Sequence, residues 1–161
     1  MFADAQYWIN KLDMQPHPEG GFYKETYQSD KMISGLDRRY ATAIYFLLQG
    51  NQFSAFHRIR SDELWHFYTG SPLEVLVLHD SGELQTLRLG PHSEQGEQFQ
   101  AMVPAGKWFA SRLTQPDSFA LVGCTVSPGF DFCDFEMADR QTLVQQFPQH
   151  EALITSLTYL R

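Results

Sequence analysis

Between Ala41 and Val126 the chain is cut into short β-rich segments, each closed by a turn signal. This rhythm constrains the fold more than any other feature. Ala41–Leu48 is β-branched, aromatic and apolar, and it stops at Gly50-Asn51. Phe53–Ile59 and Leu64–Tyr68 follow, separated by Ser61-Asp62 and closed by Gly70-Ser71-Pro72. Glu74–His79 meets Asp80-Ser81-Gly82, a strong hairpin signal, and continues as Leu84–Leu89. After Gly90-Pro91 come Gln98–Val103, Lys107–Leu113 and Ser118–Val126. Segments this short and this regularly punctuated predict about eight or nine strands closed into a sandwich or barrel.

Helical spacing is confined to the ends. Asp4 is placed to cap a helix that carries Ala5, Trp8, Ile9 and Leu12 on one face, and Pro16 and Pro18 terminate it. Arg140–Phe147, with Leu143, Val144 and Phe147, and Glu151–Leu160, with Leu153, Ile154 and Leu157, predict two more helices, separated at Pro148. Phe22–Tyr27 alternates and reads as an extended arm, and Ser29–Arg39 as a polar loop. A chain of 161 residues is long enough to bury its own core, and with no repeat or linker to divide it, one domain over 1–161 is expected. The class is mainly β, flanked by an N-terminal helix and C-terminal helices.

Charge narrows the partners. Twelve basic residues stand against nineteen acidic ones, and the densest basic groups are only Arg38-Arg39 and Arg58-Ile59-Arg60, so nucleic acid is not expected. No apolar run is long enough to span a membrane. Met1-Phe2-Ala3-Asp4 lacks the basic start of a signal peptide, and two cysteines form no disulfide framework. A cytoplasmic location is the resulting expectation. Cys124 and Cys133 read as buried structural thiols.

Phosphate loops, dinucleotide fingerprints, nucleophile elbows and paired-cysteine zinc motifs are all missing from the sequence. What remains is one dense stretch, Ser54 to Gly70. His57, Ile59, Glu63 and Gly70 in it follow the spacing of a first cupin motif, and Pro104-Ala105-Gly106-Lys107-Trp108-Phe109 follows the start of a second. With His17-Pro18-Glu19-Gly20-Gly21-Phe22-Tyr23, Phe56-His57-Arg58-Ile59-Arg60-Ser61-Asp62-Glu63-Leu64-Trp65-His66 and Leu121 to Phe130, nearly the whole chain resembles cupin family 5, a domain family of unknown function. The resemblance implies a small double-stranded β-helix, the cupin jelly roll. It further implies a homodimer with a small-molecule ligand in the barrel.

Two departures bear on cofactors. Metal-binding cupins take two histidines and a glutamate from the first motif and a histidine from the second. Here Ile59 stands in place of the second histidine and Phe109 in place of the last, which leaves His57 and Glu63. His66 falls with Leu64 and Tyr68 on the strand face opposite Glu63, Trp65 and Phe67. A catalytic metal generally wants at least three protein ligands, so no metal and no other cofactor is expected, with a divalent metal the lesser alternative.

The leading expectation is a metal-independent isomerase or epimerase acting on a sugar-like or nucleotide-sugar carbonyl compound. This family is similar in architecture to cupin-fold epimerases of nucleotide-linked keto sugars, which use a histidine base and a tyrosine acid. His57 is then the base, tuned or oriented by Glu63, and Tyr23 or Tyr45 the candidate acid. Trp65 and Trp108 offer flat surfaces for stacking a ligand, against the commoner fate of core packing. Glu19 and Tyr23, before and within the arm, are candidates to complete a pocket from across a dimer. Arg58 and Arg60 face away from His57 and read as exposed charge, and His79, His92 and His150 as surface. The rival expectation is a non-catalytic cupin that binds a sugar or nucleotide. A metal-dependent enzyme comes third.

Overall fold

In the computed structural model residues 3–160 are described; Met1, Phe2 and Arg161, which end the expected domain, lie outside them. Helix α1 (Ala5–Lys11) opens the fold, and the Asp4 carboxylate accepts from the Tyr7 N–H at 2.8 Å, the capping foreseen from the sequence. Eleven strands follow in two antiparallel sheets. They are β1 (Gln15–Pro16), β2 (Phe22–Gln28), β3 (Thr42–Gln49), β4 (Phe53–Arg58), β5 (Asp62–Gly70), β6 (Leu73–Leu78), β7 (Leu84–Leu89), β8 (Gln100–Val103), β9 (Trp108–Leu113), β10 (Phe119–Ser127) and β11 (Glu136–Met137). Helices α2 (Arg140–Gln146) and α3 (Glu151–Ser156) close the chain. One sheet runs β1-β2-β3-β10-β5-β8 and the other β11-β4-β9-β6-β7.

Strand periodicity sorts the side chains into three clusters. Phe46 and Leu48 of β3, Trp65 of β5, Val75 and Val77 of β6 and Phe109 of β9 meet between the sheets. Leu47 and Leu121 point out of the first sheet and are covered by Ala5 and Ile9 of α1. Phe56, Leu76, Trp108 and Ala110 point out of the second sheet and are covered by Leu143, Phe147, Ile154 and Leu157. The central strands β3 and β6 are therefore covered on both faces, which is why they read as continuous hydrophobic runs.

Three sequence expectations shift. The segment read as a free arm is β2, paired with β3 of the same chain from Phe22↔Leu47 to Gln28↔Thr42. The two-residue strands β1 and β11 carry no periodic signal. Helix α3 stops at Ser156 rather than Leu160, where the Leu157 N–H turns back to the Leu153 and Ile154 carbonyls.

Candidate functional site

A cavity of about 210 Å³ opens at one end of the barrel. The turn between β1 and β2 supplies His17 and Glu19, β2 supplies Tyr23 and Glu25, β4 supplies His57, and β5 supplies Glu63. Cys124 of β10 lies deep in it, and Phe130, Phe132 and Phe135 come from the connection between β10 and β11.

His57 is held at both ring nitrogens. Its Nδ1–H donates to the Ala55 carbonyl at 2.7 Å, and Nε2 lies 2.8 Å from the Glu19 carboxylate. Both side chains are buried, 4% and 8% exposed, so the pair is shielded from solvent. Burial disfavours the imidazolium, but the charge and hydrogen bond of Glu19, with the Ala55 carbonyl, outweigh it and raise the His57 pKa. Burial likewise works to raise Glu19, yet His57 holds its pKa below the usual carboxylate range. Both shifts favour the ionic form of the pair.

Glu63 behaves in the opposite way. Burial and the neighbouring Glu19 charge push its pKa up to about 7, with His57 offsetting only part of the rise. Burial also raises the Cys124 thiol, helped by the Glu63 and Glu19 charges, so this sulfur stays protonated. His17 is pushed down by burial, and its Nδ1 accepts the Glu19 backbone N–H at 3.2 Å, which fixes a neutral ring.

The turn that delivers Glu19 depends on Gly20. The Glu19 carbonyl accepts from the Ala55 N–H at 2.8 Å and from the Tyr159 hydroxyl at 3.2 Å, pinning the turn against β4. Gly20 sits at φ +112°, and a Cβ there would collide with the Phe53 carbonyl. Gly20→Ala is expected to cost more than about 1 kcal/mol and to loosen the Glu19–His57 contact. A thermal melt compared with that of Gly35→Ala, whose added Cβ meets nothing within 4 Å, checks it.

Of the residues expected from sequence, Glu19, Tyr23, His57 and Glu63 converge on this cavity. The carboxylate bonded to His57 is that of Glu19, not Glu63, and Glu19 and Tyr23 reach the pocket of their own chain. Three others do not reach the cavity. Trp65 is 1% exposed and packs deep in the core against Phe46 and Phe109, on the inner face but below the cavity. Trp108 lies on the outer face of the second sheet, under the C-terminal helices, with Arg58 over its ring at 4.4 Å. Tyr45 points outward on β3, edge-on to Tyr68 at 5.7 Å. Cys133 is exposed, contrary to the expected burial, because it lies in the surface 3₁₀ turn Phe132–Asp134. Arg58 pairs with Glu136 at 2.7 Å, and His66 faces out to the Thr125 hydroxyl at 3.1 Å. The three phenylalanines were missed because a loop has no hydrophobic period to announce which way its rings turn.

The residues do not suit a cupin metal. Phe109 is the cross-strand partner of His57, with ring centroids 4.2 Å apart, and fills the place of a second-motif ligand. Ile59 offers no donor atom, and both His57 nitrogens are already engaged. Among the described residues no group of three His, Cys, Asp or Glu is arranged to hold a metal ion.

The sequence matches the family described as Cupin superfamily (DUF985) over residues 6–138. The chain belongs to this cupin family. Protein SO0799 from Shewanella oneidensis superposes with a TM-score of 0.94 at 39% identity, over 99% of this chain and 100% of that one. A hypothetical protein from Leishmania major gives 0.92 at 35% identity, over 98% and 100%. The uncharacterized yeast protein YML079W (Saccharomyces cerevisiae) is 29% identical over 82% of this chain and 74% of its own length. Oxalate decarboxylase from Bacillus subtilis, at 12% identity and a TM-score of 0.58 over 37% of its length, shares the cupin fold alone.

Among the described residues no helix is long and apolar enough to cross a membrane.

Proposed function

We propose that this cupin is a metal-independent isomerase or epimerase that moves a proton on the carbon beside a carbonyl of a small, sugar-like compound. The observation that carries this reading is one buried carboxylate, Glu63, sharing an enclosed cavity with a fixed His57–Glu19 ion pair. A base is most effective when its pKa is near the working pH, and Glu63 at about 7 meets that condition. His57, engaged at both nitrogens, supplies a stationary positive charge rather than a free lone pair.

In this mechanism the Glu63 carboxylate takes the proton from the α-carbon, and the electron pair moves onto the carbonyl oxygen as an enolate. The imidazolium of His57 lowers the energy of that negative charge through the low-dielectric cavity. The proton then returns to carbon. From Glu63 it restores the same face, or goes to the former carbonyl carbon while the neighbouring hydroxyl proton passes to the former carbonyl oxygen; from the Tyr23 hydroxyl, also at the cavity wall, it inverts the centre, and the proton left on Glu63 then returns to the tyrosinate through solvent. A cavity of about 210 Å³ is smaller than the roughly 300–1,000 Å³ of drug-sized ligand sites, which favours a single sugar-sized ligand over a nucleotide-linked one.

The test is proton exchange in heavy water, followed by NMR, over a panel of small aldoses, ketoses and amino sugars. Deuterium is expected at the α-carbon of at least one. Tyr23→Phe is expected to slow inversion about a hundredfold while leaving wash-out of the proton intact. Absence of exchange across the whole panel would make the protein a binding module instead. The homodimer remains part of this proposal, to be checked by light scattering.

A further inference from the structure

The cavity wall has a charge and a texture that point to one ligand chemistry. Among the described residues no Lys or Arg lines it, while Glu19, Glu25 and Glu63 do. The imidazolium of His57 is matched by Glu19 at 2.8 Å, and His17 is neutral, so the positive charge inside is already cancelled. Glu63 is 8% exposed and has no ion-pair partner among the described residues. Beside these groups stand Phe130, Phe132 and Phe135, with Phe135 5.2 Å from the His57 ring and Phe132 6.2 Å from the His17 ring. Their centroids lie 4.9 to 6.2 Å apart, and each pair of planes is inclined by 69° to 82°. Rings inclined to one another in this way form adjoining walls rather than a stack.

We propose that this cavity takes a small organic cation, a protonated amine or quaternary ammonium compound, its charge set between these phenyl rings and the Glu63 carboxylate. Ring faces carry negative potential and attract such a cation without hydrogen bonds, and Glu63, which interacts with the Cys124 thiol, the Trp65 indole and the His57 charge but has no salt bridge, gains one. An anionic ligand such as a phosphate ester would meet three carboxylates and no free cation. With the proton chemistry above, the substrate becomes an amino sugar or another amino-carbonyl compound. The inference rests on the cavity being the ligand site and not on catalysis within it.

Choline is the probe, because its charge does not titrate, and 3,3-dimethylbutan-1-ol is its neutral isostere. By calorimetry choline is expected to bind the full-length protein about tenfold more tightly than the isostere. Glu63→Gln should remove about that preference, bringing choline down toward the affinity of the isostere for the same variant, and Phe135→Leu should weaken choline about threefold. The groups facing Glu63 are His57, Glu19, Cys124 and, at the cavity wall, His17 and Glu25. Burial and the Glu19 charge push the Glu63 pKa up to about 7, so its carboxylate gains a proton over the range tested. Choline affinity should therefore fall on going from about pH 8.5 to about pH 5.5. Equal affinity for choline and its isostere would overturn the proposal, and so would failure of both choline and ethanolamine to bind. Proton exchange on a neutral ketose without choline binding would sink this inference alone, and choline binding without exchange would sink only the catalytic reading.

Discussion

His57→Ala is expected to destabilise the protein by about 3–5 kcal/mol, because it leaves the Glu19 carboxylate buried with its counter-charge gone. At 2.8 Å and in a shielded site the two charges compensate one another's desolvation. For a chain of this length that loss lowers the melting temperature by about 6–20 °C. Its pH dependence has a definite sign. The Glu19 contribution is present above the carboxylate's unfolded pKa and is lost as pH falls through the depressed folded value. The His57 contribution is present below the imidazole's unfolded pKa and is lost as pH rises through the raised folded value. Wild-type protein therefore holds the full pair between about pH 4.5 and about pH 6.5. Urea denaturation of His57→Ala, Glu19→Gln and the double variant at about pH 5.5 measures it. The two losses should be strongly non-additive, with a coupling of about 1–3 kcal/mol. Additive losses would mean that the side chains do not depend on one another.

The same pair marks where the sequence stops being legible. Alternation along β4 and β5 was enough to part His57 from Arg58 and Glu63 from His66, since strand period fixes the side of a sheet, and the resemblance to cupins supplied which side is inner. It does not fix depth. Trp65 shares the inner face with Glu63, yet one step further along β5 takes it from the cavity floor into the core. Nor does it settle a strand whose two faces are both covered: around Tyr45, Ile44 and Phe46 turn to the barrel while Leu47 turns to α1, and all of them are apolar. Trp108 sits on a covered face for the same reason, beneath α2 and α3.

Glu19 illustrates a further limit. Its reach to His57 is set by a glycine turn pinned to β4 by the Ala55 N–H, a contact between segments far apart in sequence. Nothing local distinguishes that inward turn from a solvated one. The strand series, by contrast, was readable because Gly, Pro, Asn and Asp close each segment for local backbone reasons. Features governed by neighbours along the chain were visible, and those governed by neighbours across the barrel were not.

Glu63→Gln is expected to change activity and stability in opposite directions. Exchange at the substrate α-carbon should fall about 10²- to 10⁴-fold, since the amide keeps the shape of the side chain and loses the base. Stability at about pH 8 should rise. The folded pKa of Glu63 is raised to about 7 from an ordinary value of 4.5, so its contribution is fully present below about pH 4.5 and is lost as pH climbs through 7. At about 1.4 kcal/mol per pKa unit, the ionised carboxylate costs the fold about 3 kcal/mol on the alkaline side. The variant should then melt about 6–12 °C higher than wild type near pH 8, and the two should converge near pH 4.5. A residue that merely braces the barrel would lower stability when replaced, at either pH. A carboxylate that burdens its own fold when charged, and whose removal abolishes proton exchange, can owe that burden only to the chemistry of the cavity it faces. Wild-type exchange in the stabilised variant would break that link and return Glu63 to the structure.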